Sequence, residues 1–290
     1  MGISVTMRRM RCRGLALALL LCGVGWSAPA SARLAVVATI FPIADIARQV
    51  GGDAVDVVTL LPAGASPHTF EPSPAQIRDV AQARVFIRIG AGLDDWAAKL
   101  LAAATGATVV TLSDGVPLLN GDPHIWLDPV LMRDHAVPMI VRALSEADPG
   151  HHAAFEGAAA EFQSALTGLD AEIRHTLAPV ANKHYVAFHS AWRYFGRRYG
   201  LHEAAVIEPF PGKEPSAREI AAVVEAARGA HVHAILIEPQ LNPQVAQQAA
   251  REFGGEALAV DPIGGSDIPE RNSYINLMRY DLHMLVKALQ

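Results

Sequence analysis

Short apolar runs alternate along the chain with longer amphipathic segments. Strands are predicted at residues 34–39, 56–61, 85–89 and 108–112 and, after a break, at 184–188, 204–207, 234–237 and 257–260. Alanine-rich segments with helical spacing lie between them, as at 43–50, 74–81 and 217–228. Strands that alternate with helices form βαβ units and parallel sheets. The pattern therefore predicts an α/β protein of two lobes, each with a parallel sheet flanked by helices.

The break between the two groups of strands is filled by one long helical pattern at residues 151–177. Its apolar side chains recur at three- and four-residue spacing, which places them on one face: Phe155, Ala158, Phe162, Leu166 and Leu169. About 27 residues at 1.5 Å each give a helix of roughly 40 Å. We expect one long rigid helix at 148–180 between an N-terminal lobe at 33–147 and a C-terminal lobe at 181–290.

The first 32 residues resemble a secretory signal peptide. Four arginines precede an apolar run at 15–24, and Ala30-Ser31-Ala32 is a small-residue cleavage pattern. The apolar run is shorter than the roughly 20 residues that span a bilayer. Lipid attachment at Cys22 is an alternative, but Leu21 stands where a small residue is expected. We expect cleavage before Arg33 and a periplasmic location.

Charge and cysteine content narrow the function. The formal net charge is −5, and residues 1–32 contribute +4, so residues 33–290 carry −9. A surface of this sign argues against a nucleic-acid partner. Both cysteines, Cys12 and Cys22, lie in the predicted signal peptide, so no disulfide is expected afterwards. All twelve histidines lie in the remaining chain, which directs attention to metal binding.

Four polar residues lie in or beside loops that follow predicted strands. His68 follows the second strand, His124 the fourth, His189 the fifth and Asp261 the last. Parallel sheets bind ligands beyond the carboxyl ends of their strands. Since each lobe supplies two of these residues, a cleft between the lobes can bring all four together.

Three imidazoles and one carboxylate make a suitable tetrahedral zinc site. Taken singly, each residue is more often a helix cap or a solvated loop residue, so their joint placement carries the hypothesis. Glu71 is an alternative source of the carboxylate. His231 and His233 form a second candidate pair at a strand start, where no third ligand is evident.

Other residues are candidates for support of the ligands. Glu208 and Glu238 each precede a proline at a strand end and can orient an imidazole through its second nitrogen. Trp126 and Trp192 lie close in sequence to His124 and His189 and can wall the site, although core packing is the ordinary role of tryptophan.

The sequence around these residues resembles that of the metal-binding solute receptors of bacterial zinc and manganese ABC importers. The similarity lies in residues 39–42, 64–74, 124–129, 188–195, 214–216, 238–240 and 261–264. It implies two α/β lobes joined by a long rigid helix, with His68, His124, His189 and Asp261 as ligands. It also implies an inner-membrane ABC permease as partner and a monomeric receptor that is not an enzyme.

Histidine at the third ligand position, His189 here, goes with zinc in this family, whereas glutamate goes with manganese. Imidazole suits zinc, while manganese prefers oxygen ligands. We therefore expect one Zn²⁺ per chain, with a manganese receptor as the alternative. The long histidine-rich loop of many zinc members is missing between residues 113 and 123. This chain is expected to bind zinc directly or to take it from a periplasmic carrier.

Two further functions compete with this interpretation. A zinc hydrolase needs an open metal position and a general base, and neither H-E-x-x-H nor G-x-S-x-G occurs. A receptor for haem or a siderophore needs a wider cleft lined with aromatic or basic groups.

Overall fold

The computed structural model describes residues 1–4, 32–102, 106–209 and 212–290. Apart from its ends, the predicted signal peptide at 1–32 lies outside these residues. Residues Arg33–Gln290 form one compact unit. Within the described residues, no helix combines the length and the apolar character that crossing a membrane requires.

Strands occur at all eight predicted places and form two parallel four-stranded sheets. The first sheet has the order β2-β1-β3-β4 and the second β6-β5-β7-β8. The strands are β1 Leu34–Ala38, β2 Val55–Thr59, β3 Val85–Arg88, β4 Thr108–Thr111, β5 His184–His189, β6 His202–Glu208, β7 Ala234–Ile237 and β8 Glu256–Ala259. The two sheets have the same strand order. Each consists of two pairs of consecutive parallel strands, β1–β2 with β3–β4 and β5–β6 with β7–β8, which meet at the central strands β1 and β3 or β5 and β7.

Helices cover the faces of both sheets and connect their strands. Those of the first lobe are α1 Phe41–Gly51, α2 Pro74–Gln82, α3 Ala98–Leu101, α4 Pro129–Leu131 and α5 Val137–Ala147. Those that follow are α6 His152–Leu177, α7 Arg193–Tyr199, α8 Ala217–Gly229, α9 Gln244–Phe253 and α10 Tyr274–Leu289. Their starts carry the expected signals: Ser73 and Ser216 each form a capping box with the residue three positions on.

The long helix α6 has 26 residues, and one short turn, Pro149–His151, precedes it. Its buried face is formed by Phe155, Ala159, Phe162, Leu166, Leu169, Ile173 and Leu177. Ala158, expected on this face, is only half-buried. The spacing of Ala158 from Phe155 and Phe162 fits a helix. Ala159, however, lies closer to the centre of the buried apolar face.

One core runs through both lobes. It contains Val36 and Ile87 of the first sheet, Leu166 of α6, and Tyr185 and Leu236 of the second sheet. The opposite face of each sheet packs against its own helices in a smaller, separate core. Because the shared core is continuous, wide hinge motion between the lobes would expose apolar area at about 25 cal/mol per Å².

The C-terminal helix α10 ties the lobes together a second time. It packs against α1 and α6, and the carboxylate of the buried Asp45 in α1 accepts the Tyr274 backbone N–H at 2.8 Å. The Tyr274 hydroxyl donates to the Trp126 carbonyl at 2.7 Å. Two α/β lobes with parallel sheets and a long helix between them are thus confirmed, whereas the exact domain boundaries remain a prediction.

Candidate metal centre

His68 lies in the loop between β2 and α2, which approaches the cleft from the first lobe. The Trp96 indole N–H donates to the Pro67 carbonyl at 3.0 Å, and the Trp96 ring meets Phe70 edge-on at 4.8 Å. His68 itself is half-buried. The loop is therefore fixed beside His68 through its backbone and through apolar packing.

His124 is held far more tightly, by the aspartate two residues before it. Asp122 Oδ1 accepts both the backbone N–H of His124, at 2.9 Å, and its ring Nδ1–H, at 2.6 Å. His124 is 3% exposed and Asp122 is 6% exposed. The Tyr194 hydroxyl donates to the Asp122 carbonyl at 3.1 Å. The ring consequently presents Nε2, with its lone pair, to the cleft.

His189 is the last residue of β5 and points out of the carboxyl end of the second sheet. Its Nδ1 donates to the carboxylate of Glu238, with 3.2 Å to Oε1. Glu238 directly follows β7, the strand beside β5 in the sheet. Both side chains are buried, so Glu238 orients the ring as a neighbouring carboxylate orients a metal-binding histidine.

The three imidazoles converge on one point. His68, His124 and His189 each offer a nitrogen within 4.8 Å of the other two, and in the described part of the chain only this trio meets that condition. Nε2 of His68 and Nε2 of His124 lie 3.3 Å apart. Ring centroids are 4.8 to 5.4 Å apart. Three imidazole nitrogens at this spacing can all reach a single ion at about 2.0–2.1 Å after small shifts.

The cavity between these rings is small. Its volume is about 10 Å³, and its walls include Pro67, Trp126, Leu241, Pro262 and Ile263. That is close to the space that a single water molecule needs. The space between the rings is therefore of the size of one ion, which favours a metal ion over an organic ligand such as haem or a siderophore.

The pKa shifts of the three rings differ in direction. Burial lowers the pKa of His68 from its ordinary 6.5 to about 3, with help from the two neighbouring imidazoles. Burial also lowers the pKa of His124, against the opposing hydrogen bond from Asp122. At His189 burial lowers the pKa as well, but the hydrogen bond and charge of Glu238 more than offset it, so that pKa is raised. His68 and His124 are thus neutral, the form that binds metal.

Asp261, expected as the fourth ligand, is not in the cluster. Its Oδ2 accepts from the Arg271 guanidinium at 2.7 Å. Its Oδ1 accepts from the Gln240 side chain at 2.8 Å and from the Ile263 backbone N–H at 3.0 Å. Asp261 is 1% exposed. Both of its oxygens therefore accept hydrogen bonds in this arrangement, and the charge is balanced by arginine.

The loop that holds Asp261 is closed around Arg271. Gly264 adopts a left-handed φ of 68°, and a Cβ there would lie 2.8 Å from the Arg271 carbonyl oxygen. The Arg271 guanidinium also lies over the Tyr280 ring, 4.7 Å from its centroid. The Tyr280 ring thus packs against the guanidinium, and the close approach of Gly264 fixes the backbone of Arg271. Together they hold the arginine against the Asp261 carboxylate.

The expected supporting residues separate into two groups. Glu238 contacts His189, and Trp126 walls the cavity, its ring 5.1 Å from that of His124 and its indole N–H donating to the Pro262 carbonyl. Trp192 is buried against Phe195 and is not among the cavity walls. Glu208 pairs with His189 in the sheet register, but its carboxylate accepts a hydrogen bond from the Gly212 backbone N–H.

Comparison with known proteins places this arrangement in a family. A family model described as zinc-uptake complex component A, periplasmic, matches residues 36–288. The chain belongs to this family. It is 27% identical over 281 residues to the high-affinity zinc uptake system protein ZnuA of Bacillus subtilis, covering 89% of this chain and 88% of that protein. It is 28% identical to the zinc-binding lipoprotein AdcA of Streptococcus pneumoniae, of which it spans only 56%.

Solved structures of ZnuA have the same fold as this chain. A crystal structure of ZnuA superposes with a TM-score of 0.81 at 29% identity, covering 89% of this chain and 100% of that one. A zinc-bound deletion mutant of ZnuA gives 0.80 at 28% identity, with coverage of 89% and 98%. The two-lobed fold inferred from the strand pattern is therefore the fold of this family.

Sequence reasoning missed two residues that shape the site in this family member. Asp122 was not singled out, although the spacing Asp-Pro-His places its carboxylate within reach of the His124 backbone and ring. Arg271 carried no signal, because ten residues and an irregular loop separate it from Asp261. The first could have been found from local spacing, while the second needed the folded loop.

Proposed function

We propose that this protein is the zinc receptor of an ABC-type importer and that it binds Zn²⁺ between its lobes. The observation that carries the proposal is the convergence of three imidazoles, two of them oriented by buried carboxylates, around a cavity sized for one ion. Membership of a zinc-uptake family supports the same conclusion.

Three protein ligands are ready in this arrangement: His68, His124 and His189. Asp261 is proposed as the fourth; its carboxylate lies outside the three-histidine cluster and accepts hydrogen bonds from Arg271 and Gln240. Until Asp261 binds, a water molecule can complete the tetrahedron that zinc favours. Since the described residues hold one group of this kind, we propose one tightly bound zinc per chain.

Zinc is favoured over manganese by the nature of the donors. Manganese prefers carboxylate, carbonyl and water ligands, whereas imidazole suits zinc. The two buried carboxylates nearest the cluster, Asp122 and Glu238, are turned to the Nδ1 atoms of His124 and His189. They therefore strengthen imidazole ligands instead of offering oxygen to the ion.

A zinc hydrolase is disfavoured by the same geometry. A hydrolase needs space for a substrate beside the metal-bound water, together with a free general base. The cavity volume is about 10 Å³, and the nearby carboxylates already accept hydrogen bonds from the two rings. We accordingly propose that the site holds and releases an ion without chemistry.

The cellular setting completes the proposal. We infer removal of residues 1–32 as a signal peptide, a periplasmic location and action as a monomer on an inner-membrane permease. AdcA, one of the relatives, is a zinc-binding lipoprotein, and both arrangements place the receptor outside the cytoplasm. The segment at 113–123 is short and lacks the histidine-rich loop of many zinc members. We therefore propose that the protein binds free zinc directly or receives it from a periplasmic carrier.

Metal content and competitive titration of the purified protein test this function. We expect one equivalent of zinc, held against manganese, and a strong loss of zinc affinity in His189→Ala. An exposed histidine on α10, His283, supplies the matched control, because His283→Gln should bind zinc as the unaltered protein does. Preferred binding of manganese, or an unchanged affinity in His189→Ala, would overturn the assignment.

A further inference from the structure

Two exposed histidines lie side by side at the opposite end of the second sheet. His184 begins β5 and His202 begins β6, and the two residues are paired in the parallel register. Paired residues on neighbouring strands project from the same face. Their ring centroids are 5.4 Å apart, with planes inclined at 38°. This spacing resembles that of the rings in the cleft.

The structure also sets the tautomer of His184. The Asn182 side-chain amide donates to the Ala230 carbonyl at 3.1 Å and to the His231 carbonyl at 2.7 Å. Its Oδ1 therefore faces His184 and accepts the backbone N–H at 3.0 Å and the ring Nδ1–H at 3.1 Å. With the proton on Nδ1, the lone pair of His184 is on Nε2, the state required of a metal ligand.

We propose that His184 and His202 form a second site for a transition-metal ion on the surface of the C-terminal lobe. Imidazole suits zinc, copper and nickel, so the ligand class is a divalent ion of this group. Two protein donors leave the remaining positions to water. The site is consequently weaker than the three-imidazole site in the cleft and exchanges its ion with the solvent.

The two sites are separated by the length of one strand. His184 and His189 are the first and last residues of β5, and five steps of about 3.3 Å put their backbones roughly 16 Å apart. No single ion can contact both. The exposed His233 directly precedes β7, the strand on the other side of β5. Among the described residues it does not join a group of three metal donors.

Calorimetric titration of the purified protein with Zn²⁺ alone tests the second site. We expect a tight event from the cleft and a weaker second equivalent. His184→Gln and His202→Gln should each remove the weaker event and leave the tight one, and His283→Gln should leave both. Because His189→Ala should remove only the tight event, failure of the cleft assignment is distinguishable from failure of this one.

Nitrogen chemical shifts of the histidine rings supply the direct readout. On the second equivalent, Nε2 of His184 and one ring nitrogen of His202 should shift, while Nδ1 of His184 should keep its proton. The proposal is overturned if the unaltered protein shows no second event. It is equally overturned if that event persists in both glutamine variants, or if other imidazoles shift in their place.

Discussion

His124 and His189 of the cleft differ from Asp261 in the charge of the group that holds them. His124 and His189 each give Nδ1 to a buried carboxylate, which leaves Nε2 free for an ion. The oxygens of Asp261 instead accept hydrogen bonds from Gln240 and Arg271. A carboxylate behind an imidazole makes it a better ligand, whereas a cation beside a carboxylate competes with a metal ion for its negative charge.

The contrast indicates that the site is prepared in two stages. The imidazoles are arranged before the ion arrives, because their supports are buried and come from the rigid ends of β5 and β7 and from the Asp122 turn. We propose Asp261 as a reserve ligand whose recruitment rearranges its buried ion pair with Arg271. The side chain of Arg271 is only 18% exposed. Separating this pair therefore costs more free energy than separating an ion pair at the surface, where solvent screens the charges.

Loss of an imidazole should have the largest effect. His124→Ala and His189→Ala remove a ligand that nothing nearby replaces, so zinc affinity should fall by more than the roughly 100-fold that a supporting residue can account for. Competitive titration against a chelator measures this loss. Thermal unfolding without metal would show whether the variants remain folded, and a fall of less than tenfold would contradict the ligand assignment.

Loss of a supporting carboxylate should have the next largest effect on zinc affinity. Asp122→Asn and Glu238→Gln keep the size of the side chain but remove the charge that orients and polarises the ring. We expect each to weaken zinc binding about 10- to 100-fold. Glu208→Gln is the matched control, since Glu208 ends β6 beside His189 and its carboxylate accepts a hydrogen bond from the Gly212 backbone N–H. Equal effects at Glu208 and Glu238 would argue against specific support.

The pH dependence of zinc affinity should reflect one histidine. The pKa of His189 is raised, so a proton occupies this ring as the pH falls through that pKa and must leave when zinc binds. His68, with a pKa of about 3, and His124, with a lowered pKa, stay neutral over the same range. Affinity should therefore fall by about tenfold per unit of pH, the slope of one proton.

The control for this slope is the Glu238→Gln variant. Without the carboxylate, burial is left to lower the pKa of His189, and the loss of affinity should move to lower pH. Titrations at several pH values on both proteins measure the shift. A slope of two or three protons in the unaltered protein would mean that His68 or His124 also titrates, against the account given.

Changes at Asp261 should affect zinc affinity least. Asp261→Asn removes a reserve ligand and leaves Arg271 buried without its partner, so we expect a few-fold change in zinc affinity. The unfolding free energy should fall by about 3–5 kcal/mol, as for other broken buried pairs. Zinc titration and denaturant unfolding on the same variant separate the two effects. A loss of affinity as large as that in His189→Ala would make Asp261 a resident ligand.

Much of the fold could be predicted because its signals are local. Strands such as 85–89 and 234–237 are short apolar runs with polar ends, and α6 carries a regular apolar stripe over 26 residues. The three histidines were found because each one follows a strand whose carboxyl end faces the cleft. Such placement depends on topology, and topology follows from the order of strands and helices.

Long-range polar contacts could not be predicted in this way. The Asp261–Arg271 pair depends on an irregular loop turned by Gly264, and no periodicity encodes where such a loop returns. Trp192 shows the same limit, because its nearness to His189 in sequence suggested a wall of the site whereas its side chain packs against Phe195. The pairing of His184 with His202 likewise appears only once the register of β5 and β6 is known.

A crystal structure of the zinc-loaded protein, with anomalous data collected at the zinc edge, tests the central claim most directly. The account predicts one strong peak within about 2.0–2.1 Å of a nitrogen of each of His68, His124 and His189, with Asp122 and Glu238 still on the Nδ1 atoms of His124 and His189. A strong peak elsewhere, or one that leaves out any of these three imidazoles, would contradict it.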